Sequence, residues 1–262
     1  MESDGQAFYL YCFAHPGQEP VECAIPFFTH SFMCVGAVLS MVPIEDFCGP
    51  AAEANLQNLA WVGPRACQHE HVIEKVMSHS PVFPARFGTI FLSLTSLEAF
   101  LQKHHDTILQ FLDQQTDNEE WSVKGMLDQA KAMENRFSAA IKEKGDSFDS
   151  LPQGARYFQE KFIRNNIEKE LKNSSHEICS KVIITLKSYA PVFCERKTMS
   201  RDVTGSGMDM IRNWAFVIPR NVINDFHDCI ARANADYAHQ GIVFELSGPW
   251  PPYSFCPSLV NQ

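Results

Sequence analysis

Glu119-Glu120-Trp121-Ser122-Val123-Lys124-Gly125-Met126 is the stretch on which the fold turns. Trp121, Val123 and Gly125 alternate with Glu120, Ser122 and Lys124, the period of a strand with one buried face. The pattern after it is helical. Residues 127–144 and 155–189 predict two long helices, with Phe158, Phe162, Ile167, Leu171, Ile178 and Val182 inward and mixed charges outward. Gly145 to Gly154 separates them. After Pro191, Val192 to Glu195 and Trp214 to Ile218 read as strands around a flexible loop from Ser200 to Gly207. A helix over residues 221–237 and a last strand from Ile242 to Leu246 complete the run. Strand, helices, strand, strand, helix, strand is the ferredoxin-like βαββαβ order, with an oversized first crossover.

Working back from Glu119, the front half mixes strands and helices in another order. Ala7 to Phe13 is an aromatic run that ends at Pro16-Gly17 and reads as a strand. Cys23 to Ile44 carries no formal charge and is long enough to cross a bilayer, but Pro26, Thr29, His30, Ser31 and Pro43 interrupt it and no Lys or Arg flanks it. It predicts a Pro-limited loop and then a buried strand around Val35 to Val42. Helices follow over 51–60 and 64–79, the second opened by Gly63-Pro64, with Ala66, His69, Val72, Ile73, Val76 and Met77 on one face. Val82 to Phe91 is extended, and Thr95-Ser96-Leu97-Glu98 is a capping box for a helix reaching Gln114. The expectation is an α+β protein of two domains, 1–118 and 119–262.

Composition bounds the function. The 262 residues hold 22 Lys+Arg against 31 Asp+Glu, a net charge of −9, with 45% hydrophobic and 20% charged residues, so the chain can build a core. Through residue 120 there are 4 basic and 15 acidic residues, −11; the remainder has 18 and 16, +2. Neither half offers the basic patch that nucleic acid requires. Nine cysteines, without a C-x-x-C pair and without the positive start of a signal peptide, read as reduced thiols in the cytoplasm.

Signals of catalysis are few. His69-Glu70-His71 sets two imidazoles about 200° apart on a helix, which defeats shared metal ligation. Gly205-Ser206-Gly207 lacks the Lys-Ser/Thr of a phosphate loop, and no nucleophile elbow occurs. No cofactor or metal site is expected. Arg86 lies within apolar Val82-Phe83-Pro84-Ala85-Arg86-Phe87-Gly88-Thr89, where it reads either as one half of an ion pair with Glu70 or Glu74, or as a partner-binding arginine. Arg65 invites the same two readings. Ser247-Gly248-Pro249-Trp250-Pro251-Pro252-Tyr253-Ser254-Phe255 reads as a strap that buries Trp250 and Phe255 over its own sheet, or as a polyproline-like ligand for another protein.

Tyr9-Leu10-Tyr11, Arg65-Ala66 with His69-Glu70, Pro84-Ala85-Arg86-Phe87-Gly88-Thr89, Glu120-Trp121-Ser122-Val123-Lys124 and Gly248-Pro249-Trp250-Pro251-Pro252-Tyr253-Ser254-Phe255 together resemble the gas vesicle protein L/F family, in the family's order and across nearly the whole chain. The resemblance implies two α+β domains, the C-terminal one a modified ferredoxin-like fold with extended helices. It implies an accessory or minor structural component of gas vesicles, non-enzymatic and cytoplasmic. Such a protein would contact the small shell protein and other accessory proteins, in some cases at the gas-facing side of the shell, with no nucleic acid and no lipid membrane as partner. Arg65, Glu70, Arg86, Trp121, Trp250 and Tyr253 are the candidate structural or partner-contact residues. A competing reading is a ferredoxin-like small-molecule binder or enzyme with an interdomain cleft near Arg86 and His69. A third is membrane association through residues 23–44.

Overall fold

The computed structural model describes residues 5–17, 25–145, 148, 150–190 and 192–259. Cys23, Pro191 and residues 146, 147 and 149 of the expected helix break lie outside the described residues. The chain forms two compact units, Met1–Asn118 with Trp250–Gln262, and Glu119–Pro249. Each combines a sheet with helices, so the protein is a mixed helix-and-sheet fold with two sheets.

In the first unit the strands β1 (Gln6–Ala14), β2 (Phe28–Phe32), β3 (Val35–Pro43) and β4 (Val82–Pro84) lie in the order β2-β3-β1-β4, and β5 (Ile90–Phe91) also pairs with β1. The short helices α1 (Ile44–Phe47) and α2 (Pro50–Gln57) lead into α3 (Leu59–Met77). Val72, Ile73 and Val76 of α3 pack with Tyr9, Tyr11, Cys12 and Ala14 of β1. Leu97, Leu101, Ile108 and Leu112 of α4 (Leu94–Gln115) pack with Leu10 and Phe13. Helices on both faces explain why β1 is apolar throughout rather than alternating. A bulge between Leu10 and Cys12 shifts the register, so that Phe13 joins Leu10 while Cys12 stays with Tyr11.

Three expectations are corrected in this unit. Phe28–Phe32 is a strand rather than a loop, closed onto β3 by a two-residue turn in which Met33 and Cys34 both have positive φ. Helix α3 starts five residues before Pro64, because the Asn58 side chain accepts the Ala60 N–H at 3.0 Å and caps it there; Pro64 lies inside the helix. The capping box of α4 is Ser93 with Ser96, each side chain accepting the other's backbone N–H, rather than Thr95 with Glu98.

In the second unit β6 (Asn118–Leu127), β7 (Val192–Glu195), β8 (Asp209–Pro219) and β9 (Ile242–Trp250) lie in the order β7-β8-β6-β9. The helices are α5 (Gln129–Lys144), α6 (Gln153–Lys187), the short α7 (Arg201–Thr204) and α8 (Ile223–Tyr237). Val123 and Leu127 of β6 meet Trp214, Phe216 and Ile218 of β8 beneath α8 and the C-terminal half of α6. Helix α6 has 35 residues and so runs about 50 Å. Its N-terminal half builds a separate small core, Ile163 and Ile167 with Phe148, against α5. Phe158 and Phe162, expected inward, are 72% and 65% exposed. Ile167, Leu171, Ile178 and Val182 are buried as expected, and Ile163 and Leu186 extend their stripe.

The alternation of β6 is also corrected. Glu120 and Ser122, expected outward, are each only 3% exposed. Arg196 explains how they are tolerated: its guanidinium lies 3.8 Å from the Glu120 carboxylate and donates to the Ser122 hydroxyl. The expected loop from Ser200 to Gly207 contains α7, where Arg201 donates to both carboxylate oxygens of Asp209 at 2.6 Å.

Candidate functional site

A tyrosine in the middle of a sheet covered on both faces must find a partner for its hydroxyl. The Tyr9 hydroxyl donates to His69 Nδ1 at 2.9 Å and accepts the Gly88 N–H at 3.2 Å. His69 Nε2 lies 3.1 Å from the Ala85 carbonyl. A carbonyl only accepts, so Nε2 carries the proton and Nδ1 is left to receive the one from Tyr9. His69 is 2% exposed and burial lowers its pKa, which keeps this neutral tautomer in place. Gly88 has φ +83°, a left-handed conformation that a side chain would resist, and it aims its N–H at Tyr9. Tyr9, Ala85, Gly88 and His69 thus form one closed chain of hydrogen bonds across β1, the turn after β4, and α3.

The next residue of α3 extends the arrangement. Glu70 Oε1 accepts the Tyr253 hydroxyl at 2.8 Å. Burial raises the Glu70 pKa and Glu74 adds to this, while the tyrosine hydrogen bond works against both. Beyond Tyr253, Phe255, Cys256 and Leu259 pack on the α4 side of the first unit. The tail therefore straps the first unit and not the sheet that β9 belongs to. Phe255 is partly buried there, whereas Trp250 is 43% exposed.

Of the six candidate residues, the structure brings Glu70 and Tyr253 together. The ion pair from Arg86 to Glu70 or Glu74 is not formed; the Arg86 side chain is exposed, and its carbonyl accepts the Thr89 hydroxyl at 2.7 Å. Arg65 stacks 4.0 Å over the Trp61 ring, 3.7 Å from Asp46. It borders a cleft of about 470 Å³ within the first unit, lined also by Tyr9, Tyr11, Phe28, Ser40 and Phe47. Trp121 belongs to the second unit: its indole donates to Glu119 at 3.1 Å and meets His227 edge to face. Gly248 allows β9 to pass it, since a Cβ there would come within 3.0 Å of the indole.

Sequence reasoning missed Tyr9 as a hydrogen-bonding residue and Glu120 with Arg196 as a buried pair. A tyrosine inside an unbroken apolar run was the available signal for the first. For the second there was none, because residues 120 and 196 meet only through the sheet. His69, expected beside a cleft, is walled in and has both ring nitrogens engaged. Among the described residues, no group of three or more His, Cys, Asp or Glu could hold a metal ion, and no helix is long and apolar enough to cross a membrane.

Residues 7–257 match the model of the family described as gas vesicle synthesis protein GvpL/GvpF. Gas vesicle protein L of Streptomyces sp. (strain CB03234) is 22% identical over 219 residues, 84% of this chain and 79% of that protein. Gas vesicle protein L of Haloferax mediterranei is 22% identical over 210 residues, 73% of this chain and 61% of that protein. The crystal structure of GvpF from Anabaena sp. PCC7120 aligns with a TM-score of 0.64 at 19% identity over 97% of both chains. That of GvpF from Microcystis aeruginosa gives 0.64 at 17% identity over 96% of this chain and 99% of the other. At such identities the structures speak for the fold, while the family model spans nearly every residue: the chain belongs to the GvpL/GvpF family of gas vesicle synthesis proteins.

Proposed function

We propose that the protein serves gas vesicle formation as a non-enzymatic accessory or minor structural component, binding the small shell protein and other accessory proteins in the cytoplasm. The observation that carries this reading is how the family-like blocks use their polar groups. Tyr9, His69, Ala85, Gly88, Glu70 and Tyr253 satisfy one another, which suits a rigid scaffold better than a reacting centre. Arg86 and Trp250, from the same blocks, are exposed to solvent in a way that suits contact with a partner. The strand order β7-β8-β6-β9 supports reading the second unit as a ferredoxin-like domain whose first crossover is lengthened into α5 and α6. Division at residues 118 and 119 completes that two-domain reading.

Capture of the purified shell protein tests it. R86A/W250A should lower capture about tenfold with unchanged thermal unfolding, and wild-type capture should weaken as salt rises. Undiminished capture by the double variant, together with normal vesicles in cells carrying only that variant, would sink the assignment of these residues.

A further inference from the structure

The outer edge of the first sheet is β2, Phe28-Thr29-His30-Ser31-Phe32, and it reads almost the same in both directions. In its hairpin with β3, Phe32 pairs with Val35, His30 with Ala37 and Phe28 with Leu39. A two-residue turn is flanked by a hydrogen-bonded pair, and such pairs alternate along the ladder. Phe28, His30 and Phe32 therefore spend their backbone groups on β3, while Thr29 and Ser31 point theirs away from the sheet. Both of these residues are exposed. Edges of this kind are usually guarded by a charge, a proline or a bulge, and β2 contains none. Two side chains of α4 also anchor the hairpin: His30 Nε2 lies 2.9 Å from Glu98 Oε1, and His105 donates to the Met33 carbonyl at 2.7 Å.

We propose that β2 is a homotypic pairing edge, joining antiparallel to β2 of a second copy of this chain about a two-fold axis through His30. In that register Thr29 of each copy faces Ser31 of the other, and these are the residues whose outward N–H and C=O groups are unspent. Each such pair exchanges two hydrogen bonds, and His30 faces His30 as the non-hydrogen-bonded pair between them, at a Cα separation of about 4.5 Å. Phe28 faces Phe32 on the same side, so the apolar ends of the strand meet each other. A one-residue slip would place spent backbone groups opposite unspent ones, so the ladder admits this register and rejects its neighbour. Five residues form a small interface, which makes the association weak and reversible. The first unit carries 4 Lys+Arg and 13 Asp+Glu, −9, against 18 and 18 in the second, so two copies repel through the units that pair and added salt should help them associate. That sign is opposite to the one expected for shell-protein capture, and the inference does not depend on that capture.

Sedimentation velocity on the full chain from about 1 µM to about 1 mM tests it. The expected result is a concentration-dependent shift from 29.6 kDa toward twice that mass, strengthened by salt. T29E/S31E, which sets like charges opposite each other in both pairs, should raise the dimer dissociation constant about tenfold or more, and T29K/S31E should restore pairing because each lysine then faces a glutamate. T29P removes one outward N–H without touching a bond to β3, and should also leave the chain monomeric. A monomer at every concentration, a dimer indifferent to T29E/S31E, or failure of the charge-swapped variant to recover would each overturn the proposal.

Discussion

In the first unit the buried polar groups are neutral and lean on the backbone: a tyrosine, a histidine, a carbonyl and a glycine N–H. In the second, a buried carboxylate on β6 leans on an arginine that reaches it from just beyond the end of β7. Both arrangements satisfy buried groups, yet they fail differently. A neutral chain that is broken strands only uncharged groups, and its weak point is the protonation of His69. The ion pair is more exposed to a single change, because removing the arginine takes the opposite charge away from a carboxylate that is almost fully out of water.

The largest effect should come from breaking the pair. Arg196→Ala should destabilise the second unit by about 2 kcal/mol, below the 3–5 kcal/mol of a fully buried pair because the arginine side chain is 34% exposed. Urea unfolding followed by far-ultraviolet dichroism would show it, and a change under about 0.5 kcal/mol would mean that Glu120 is satisfied without this arginine. Tyr9→Phe comes next. It strands His69 Nδ1 and the Gly88 N–H together, and should cost the first unit about 1.5 kcal/mol without altering the second.

The histidine distinguishes the two arrangements by pH. Its folded pKa lies below the ordinary 6.5, so the unfolded chain takes up the proton first as pH falls, and stability is lost from about pH 6.5 downward. Glu70 acts in the opposite sense: with its pKa raised, the folded chain takes up that proton first, and its contribution grows on acidification. In a Glu70→Gln background, His69→Gln should therefore flatten the fall in melting temperature between pH 7 and pH 5, since an amide keeps one donor and one acceptor but does not titrate. A fall of unchanged slope would place the titrating group elsewhere. The smallest effect should be that of Tyr253→Phe, about 0.5 kcal/mol because the residue is 39% exposed, read most sensitively as faster proteolysis of the last dozen residues.

What the sequence disclosed follows the same division. The strands and long helices of the second unit were legible in type and order, because long stripes such as Ile163 to Leu186 have no competing period. Only at the N-terminal end of α6 was the inward residue not legible: Phe162 and Ile163 differ by one residue, and packing against α5 decides which faces inward. The β2 hairpin escaped notice because its turn places Met33 and Cys34 where Asn-Gly is the usual signal. At the candidate site, the motif blocks themselves were readable. That Ala85 and Gly88 contribute backbone groups, and not side chains, could come only from the fold.

The return of residues 250–259 to the first unit has a consequence for how the protein is made. The N-terminal unit emerges first from the ribosome but is discontinuous in the chain, and Tyr253, Phe255 and Leu259 arrive only after the whole second unit has been synthesised. Domains generally fold as units and in order of synthesis, so here the earlier unit must wait with an unfilled seat beside α3 and α4. A premature stop just after β9 would leave the second unit whole and injure the first, the reverse of what linear order along the chain suggests.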